Sequence, residues 1–178
     1  MKIKKSKLRR IISEQVEDAI ATIEVPNMFT TALVPYLASL RALQLWFHSA
    51  HNLTKGTGFA GDHTELYGKI YVELQDNYDA AVEKAIGLSG DEQVACPVLI
   101  TGGALEVLGQ HMSPSGASSL DIAKAALGLL NAHVELLTYT FYSLEDGGTL
   151  PLGLNDFLMS SANDYETYMY MLQQRVKE

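Results

Sequence analysis

Two histidines at the ends of one short loop are the residues of this chain best suited to chemistry. The stretch HNLTKGTGFAGDH begins at His51 and ends at His63, twelve residues later. Helical periodicity flanks the loop on both sides, so the loop should join antiparallel helices and bring the two imidazoles to one end of them. A neutral imidazole offers a nitrogen lone pair to a transition metal. Either the pair is incidental, or it binds a metal at this end of the hairpin.

Two acidic residues on the following helix are the other candidates. Asp79 and Glu83 are four residues apart, which places them on one helix face. Glu83 follows His63 by twenty residues, which is about 30 Å along a helix. Histidines and carboxylates of one subunit therefore lie at opposite ends. They can form one site only if a second subunit packs antiparallel about a two-fold axis, and that contact would create two identical sites.

Five amphipathic segments must position these groups. Their apolar residues recur every three or four positions, and glycine or proline separates the segments. The 119–144 segment is the most regular and is typical of left-handed bundle packing. Its seam consists of Leu120, Ala123, Leu127, Leu130, Val134, Leu137, Phe141 and Leu144. The predicted helices cover residues 6–24, 31–54, 61–88, 119–144 and 154–177, with one short additional helix in the sequence GALEVLG.

Loop lengths predict how the helices are arranged. Short loops make one hairpin of residues 31–54 with 61–88 and another of residues 119–144 with 154–177. The connection over residues 89–118 is long enough to cross the bundle. We therefore predict an all-α protein with a ferritin-like four-helix bundle and one long crossover over residues 27–178. A basic N-terminal arm and an amphipathic helix, residues 1–26, should precede it.

A di-iron site inside this bundle is not expected. Ferritin-like bundles that hold two irons internally use Glu-x-x-His motifs. No glutamate of this chain is followed three residues later by a histidine. The remaining histidines, His48, His111 and His133, are interpreted as surface residues or as hydrogen-bonded core residues.

Charge is divided between a basic N-terminus and an acidic body. The net charge of the chain is −8, yet its first ten residues contain no acid. The remainder has seven basic and 21 acidic residues, a net charge of −14. An acidic body attracts cations, and a basic arm attracts a polyanion; DNA, a partner protein and an anionic membrane surface all remain open for the arm. The basic residues of the arm are Lys2, Lys4, Lys5, Lys7, Arg9 and Arg10.

Composition predicts a single globular domain in the cytoplasm. The chain has 178 residues, of which 47% are hydrophobic, as expected of one soluble domain. No apolar run approaches the roughly 20 residues of a membrane span, and no apolar signal core follows the basic N-terminus. The single cysteine, Cys96, excludes an internal disulfide and fits a reducing compartment.

The candidate residues lie in segments that resemble one family. AHNLTKGTGFAGDH followed by YDAAVEKAIGL is similar to the signature of the Dps (DNA protection during starvation) mini-ferritins. That signature is a histidine, a glycine-bearing loop with an aromatic, a second histidine, and then D-x-x-x-E. LNDFLMSSANDYETYMYMLQQRV resembles the last helix of that family, so the resemblance spans about residues 31–177. It implies a hollow homo-oligomeric shell of twelve subunits, nucleoid-associated in the cytoplasm, that protects DNA from oxidative stress.

The resemblance also implies a chemistry and its ligands. Fe²⁺ would be oxidised by hydrogen peroxide at a ferroxidase centre shared between two subunits, and ferric mineral would be stored inside the shell. Carried over by position, His51 and His63 are the histidine ligands of iron, and Asp79 and Glu83 are the carboxylate ligands from the neighbouring subunit. Imidazole and carboxylate together suit Fe²⁺ and leave positions open for peroxide. Many members of the family also bind DNA through a basic terminal arm.

Two positions and one spacing depart from the family pattern. Tyr67 stands where the family has an aspartate four residues after the second histidine, and Asn52 stands where it has tryptophan. The spacings from His63 to the two carboxylates, sixteen and twenty residues, are each one residue longer. A local helix bulge would absorb the additional residue. These departures favour an alternative, a Dps-shaped DNA-binding or structural protein with a degraded ferroxidase site, whereas the retained histidines and carboxylates favour a working one.

Overall fold

The computed structural model of the protein describes residues 28–177, so the predicted arm and first amphipathic helix lie outside the described residues. The described part contains helices and no strand. A π-helix, Gly61–Tyr67, runs directly into the second α-helix, and a 3₁₀ turn, Glu92–Ala95, precedes the third. The α-helices are α1 (Met28–Leu53), α2 (Gly68–Ser89), α3 (Pro97–Gln110), α4 (Ser119–Asp146) and α5 (Leu152–Arg175). None of the helices over residues 28–177 is long and apolar enough to cross a bilayer.

The four long helices form the predicted ferritin-like bundle. Helix α1 packs along α2, α4 packs along α5, and α1 also contacts α4. Helix α3 belongs to the long connection between the two hairpins and packs on α1. Tyr36, Phe47, Tyr67 and Tyr165 are the largest of the fully buried side chains in the shared core. The all-α architecture with one long crossover is therefore confirmed.

Local signals explain where the helices begin and end. The Ser118 hydroxyl accepts a hydrogen bond from the backbone N–H of Asp121, which caps the start of α4. Gly90 ends α2 in the left-handed conformation, with φ of 67°, a conformation that glycine adopts without strain. Helix α3 begins with Pro97 in its first turn, where a missing N–H costs nothing. It is consequently longer than the GALEVLG segment predicted from periodicity.

The predicted seam of α4 is only partly correct. Every second member of it, namely Ala123, Leu130, Leu137 and Leu144, is buried, whereas the members between them are half-buried. The core face also includes positions off the seam: Ile122, Ala126, Leu129, His133 and Thr140. A helix that packs against several neighbours buries a wider stripe than the two-helix seam of a coiled coil. The core face is therefore displaced to one side of the seam.

Candidate metal centre

The structure brings His51 and His63 into direct contact. Their rings are stacked, with centroids 3.8 Å apart and planes inclined by 17°. Nδ1 of His51 lies 2.7 Å from the backbone oxygen of His63, and Nδ1 of His63 lies 2.7 Å from the backbone oxygen of His51. A carbonyl oxygen can only accept a hydrogen bond, so both Nδ1 atoms must carry a proton and donate it. The reciprocal hydrogen bonds therefore fix both rings in one tautomer.

That tautomer leaves a lone pair on Nε2 of each ring. Neither His51 nor His63 makes an Nε2 hydrogen bond to any residue between 28 and 177. Metal-ligating histidines commonly donate Nδ1–H to a backbone carbonyl, which fixes the ring and leaves Nε2 for the metal. The pair thus supplies two preordered nitrogen donors of the kind that Fe²⁺ accepts.

A π-helix determines where His63 lies. In the Gly61–Tyr67 segment the turns are wider than in an α-helix, and the N–H of Gly68 donates to the carbonyl of His63, five residues earlier. A π turn accommodates one residue more than an α turn does. The helix bulge expected from the long spacing between His63 and the carboxylates is therefore present.

Gly68 allows the two histidine-bearing segments to approach closely. A Cβ on Gly68 would lie 2.5 Å from the backbone oxygen of His63 and 3.2 Å from Nδ1 of His51. Tyr67, at the position of the family's aspartate, is instead fully buried, and its ring centroid lies 6.2 Å from that of Phe47. Burial also raises the pKa of Tyr67. Tyr67 is therefore a core residue. Gly68 is the residue beside the histidines, and it has no side chain that could bind a metal.

Aromatic rings surround the imidazole pair. Phe59 stacks on His63 with ring centroids 4.9 Å apart, and the Tyr71 ring lies 5.1 Å from that of His51. His48 is exposed, and its ring contacts Tyr71 at 4.7 Å. These contacts restrict the rotation of both candidate ligands, so the rings are held by packing as well as by hydrogen bonds.

Asp79 and Glu83 lie apart from the histidines of the same chain. Both acids are exposed on α2. Asp79 and Arg41 line the same groove, of about 580 Å³. Arg41 precedes His51 by ten residues on α1, so the level of the bundle at which Asp79 lies is about 15 Å along the helix axis from His51. Glu83 is one helical turn beyond Asp79. Between residues 28 and 177, no three His, Cys, Asp or Glu side chains are grouped closely enough to hold a metal ion.

Two acids that the sequence analysis did not single out lie nearer to the histidines. Glu73 and Asp76 line a groove of about 620 Å³ together with His51. The Tyr168 hydroxyl, from α5, donates to Oε2 of Glu73, whereas Oε1 is buried with no hydrogen-bond partner in the described part of the chain. Burial raises the pKa of Glu73, an effect that the Tyr168 hydrogen bond opposes. Asp76 lies three residues before Asp79 and so on the same helix face, which could have indicated from the sequence that it is a candidate ligand. The position of Glu73 follows only from its contact with Tyr168 of α5.

Comparison with solved structures identifies the fold. The Dps of Microbacterium arborescens in its high iron form is 21% identical, with 88% of this chain and 100% of that chain covered at a TM-score of 0.67. Mycobacterium smegmatis Dps is 17% identical, with coverages of 86% and 92% and a TM-score of 0.68. Vibrio cholerae O1 Dps, described as a member of a broad superfamily of ferritin-like diiron-carboxylate proteins, is 14% identical, with coverages of 83% and 88% and a TM-score of 0.67. This chain has the ferritin-like fold of these Dps proteins.

Searches by sequence were negative. No protein-family model matches the chain, and a search of curated proteins found no match.

Proposed function

We propose that the chain is a Dps-type mini-ferritin that binds Fe²⁺ at His51 and His63, oxidises it with hydrogen peroxide and stores the ferric product in a hollow shell. The observation that carries the proposal is the reciprocal hydrogen bonding of the two rings, which leaves Nε2 of both available. On a ferritin-like fold, paired nitrogen donors of this kind favour a ferrous substrate.

Carboxylate ligands would come from a second copy of the chain. Leu45 and Val72 are apolar but 40% and 48% exposed, and they line the same two grooves as Asp79 and His51 respectively. Asp76 lines both grooves, so the two apolar residues belong to one continuous surface, and contiguous exposed apolar surface is typical of a region that another protein covers. A copy packed antiparallel across a two-fold axis would place its own Asp79 and Glu83 near the histidines, twice per dimer. We propose a shell of twelve subunits built from such dimers.

Each group has a distinct part in the oxidation. The two imidazoles hold the ferrous ions without becoming charged, and the carboxylates of the second copy offset the positive charge of the metal. Hydrogen peroxide takes one electron from each of two ferrous ions, its O–O bond breaks, and its two oxygen atoms leave as water after taking up two protons. The ferric ions then hydrolyse, release protons and precipitate as mineral. Because Fe²⁺ and peroxide are consumed together, they cannot generate hydroxyl radicals.

We propose further that residues 1–10 contact DNA. The rest of the chain has a net charge of −14 and repels phosphate, so an attraction to DNA has to come from this arm. Arms on every subunit of a shell would act together and raise the avidity far above that of one arm. The oxidation of iron would then take place beside the molecule that it protects.

Ferrous oxidation in the presence of peroxide tests the proposed reaction. Fe²⁺ and hydrogen peroxide are added to the protein without oxygen, and the rise in ultraviolet absorbance of the ferric product is recorded. His51→Ala and His63→Ala should each lower the initial rate by about tenfold or more, since disturbing even the groups that support metal ligands costs 10–100-fold. His111→Ala, in the connection after α3 and outside the centre, should keep the rate. Unchanged oxidation by His51→Ala would contradict the proposal.

A Dps-shaped DNA-binding or structural protein without ferroxidase activity is the second candidate. The observation that favours it is the environment of Gly68 and Tyr67, which leaves no carboxylate at the position of the family's aspartate. This candidate predicts that the wild-type protein and His51→Ala oxidise iron at the same rate, so the same assay decides between them.

A further inference from the structure

A buried ion pair joins the π-helix to the end of α5. Asp62, the residue before His63, is only 4% exposed. Nε of Arg175 donates to both carboxylate oxygens of Asp62, at 3.0 and 3.2 Å, and the arginine side chain is 17% exposed. The loop backbone packs directly on the pair, because a Cβ on Gly58 would lie 3.0 Å from Nη2 of Arg175 and 3.1 Å from Oδ2 of Asp62.

A gain in stability does not account for burying these two charges. The desolvation of a buried ion pair offsets most of the attraction between its members. The best-attested use of such a pair is to impose one register on the segment that carries it. The Gly61–Tyr67 segment requires a fixed register because a π-helix is rare, so that an ordinary α-helical register competes with it. A slip of one residue would rotate the His63 side chain by roughly 100° about the helix axis.

We propose that Asp62 and Arg175 are positioning residues for the imidazole pair. The backbone N–H of Asp62 donates to the carbonyl of Gly58 at 2.9 Å, and its carboxylate is held by α5, so the first π turn is anchored from two sides. This anchor holds the Nδ1 and the carbonyl of His63 where both meet His51. The two charged residues act through His63 and do not themselves bind iron.

This inference rests on the proposed function only in taking the two imidazoles as metal ligands. Its direct consequence is a property of the metal-free protein, namely the tautomer of His51 and His63. Two variants alter the ion pair, and a third is the control. Asp62→Asn keeps the shape and removes the charge, whereas Arg175→Lys keeps the charge and replaces the guanidinium. The control, Glu65→Gln, removes the exposed Glu65–Lys69 ion pair from the same stretch of helix.

Solid-state ¹⁵N NMR of the metal-free, full-length protein reports the tautomers, at about pH 8, where ordinary histidines are neutral. His51→Gln and His63→Gln assign the signals. In the wild type, both rings should carry the proton on Nδ1 alone. In Asp62→Asn, the His63 proton should distribute over both nitrogens, and the affinity for Co²⁺, a spectroscopic probe for Fe²⁺, should fall about 10–100-fold.

The two positioning variants should differ in degree, and the control should not respond. Arg175→Lys should retain more of the Nδ1 tautomer and of the Co²⁺ affinity than Asp62→Asn does, but less than the wild type. Glu65→Gln should match the wild type in both. A natively helical Asp62→Asn with the wild-type tautomer and Co²⁺ affinity would overturn the inference. If Asp62→Asn does not fold, Arg175→Lys decides by the same two measurements. A wild-type protein that fails to oxidise iron would refute the proposed function and leave the tautomer result unaffected.

Discussion

Replacing Gly68 with alanine tests most sharply how the two histidines are held together. The added Cβ would lie 2.5 Å from the backbone oxygen of His63 and 3.2 Å from Nδ1 of His51. The first distance is far inside the roughly 3.5 Å at which non-bonded atoms pack. Because the obstructing atom belongs to the backbone, no rotation of a side chain can relieve the contact. The π-helix itself would have to move, and with it the His63 carbonyl that accepts the hydrogen bond from Nδ1 of His51.

The expected cost follows from three contributions. Overpacking of this kind costs about 1–3 kcal/mol, and the loss of one imidazole–carbonyl hydrogen bond costs about 1 kcal/mol. Alanine stabilises a helix by about 1 kcal/mol relative to glycine, which offsets part of that cost. Gly68→Ala should therefore lower the free energy of unfolding by about 1–3 kcal/mol. Gly61→Ala, in the same π-helix but with nothing within 4 Å of the added Cβ, should be neutral or up to about 1 kcal/mol more stable.

Urea denaturation measures the unfolding free energy of both variants, and a Co²⁺ titration reports on the two histidines. We expect Gly68→Ala to bind Co²⁺ at least about tenfold more weakly and Gly61→Ala to bind it as the wild type does. If the two variants have equal unfolding free energies and equal Co²⁺ affinities, the close approach at Gly68 does not hold the imidazoles.

Three further predictions concern the core, acid stability and the arm. Leu130→Ala, in the core of α4, should cost about 2–5 kcal/mol, whereas Leu152→Ala, at a position 87% exposed, should stay within about 0.5 kcal/mol; equal shifts in melting temperature would show that the core is misassigned. Burial lowers the pKa of His133 to about 3, below the value of about 6.5 in the unfolded chain. The unfolded chain therefore binds a proton that the folded chain rejects, and stability falls as the pH drops from about 6.5 towards 3. Between pH 7 and pH 5, the free energy of unfolding measured by urea denaturation should fall less for His133→Gln than for His111→Gln. Equal falls would show that His133 is not a source of the acid sensitivity. Deleting residues 1–10 should abolish the retardation of DNA in gels, an effect that salt also weakens steeply; unchanged retardation would exclude the arm.

Most of the fold could be predicted from local sequence patterns. Residues three and four apart report on one helix face, and short loops force neighbouring helices to be antiparallel, so both hairpins and the crossover followed from the sequence. The contact of His51 with His63 was predictable for the same reason, because one short loop separates them. The additional residue between His63 and the carboxylates predicted a bulge, and the π-helix Gly61–Tyr67 supplies it.

Contacts between distant residues were not predictable. Asp62 pairs with Arg175, Glu73 accepts from Tyr168, and Ser39 hydrogen bonds to His133 at 2.8 Å. The partners in each pair are about a hundred residues apart in the chain, and no periodicity specifies which of many polar residues will meet. The environment of Gly68 was hidden for a related reason. Only the wide π turn places it, rather than Tyr67, beside the histidines.

Complementation between two defective subunits tests the shared site most directly. His51→Ala and Glu83→Ala should each lose most of the ferroxidase activity. In a mixed dimer, one site combines the two defects, whereas the other combines an intact histidine pair with an intact glutamate. Random refolding makes about half of the dimers mixed, so roughly a quarter of all sites should recover.

The matched control mixes His51→Ala with His63→Ala. Both defects then lie on the histidine side, every site in a mixed dimer is incomplete, and no activity should return. Mass spectrometry establishes in each case that mixed assemblies have formed. Recovery of about a quarter of the activity for His51→Ala with Glu83→Ala, and none for the control, is the result that a site shared across a two-fold axis predicts. Oxidation that stays at the single-mutant level in confirmed mixed assemblies would contradict it.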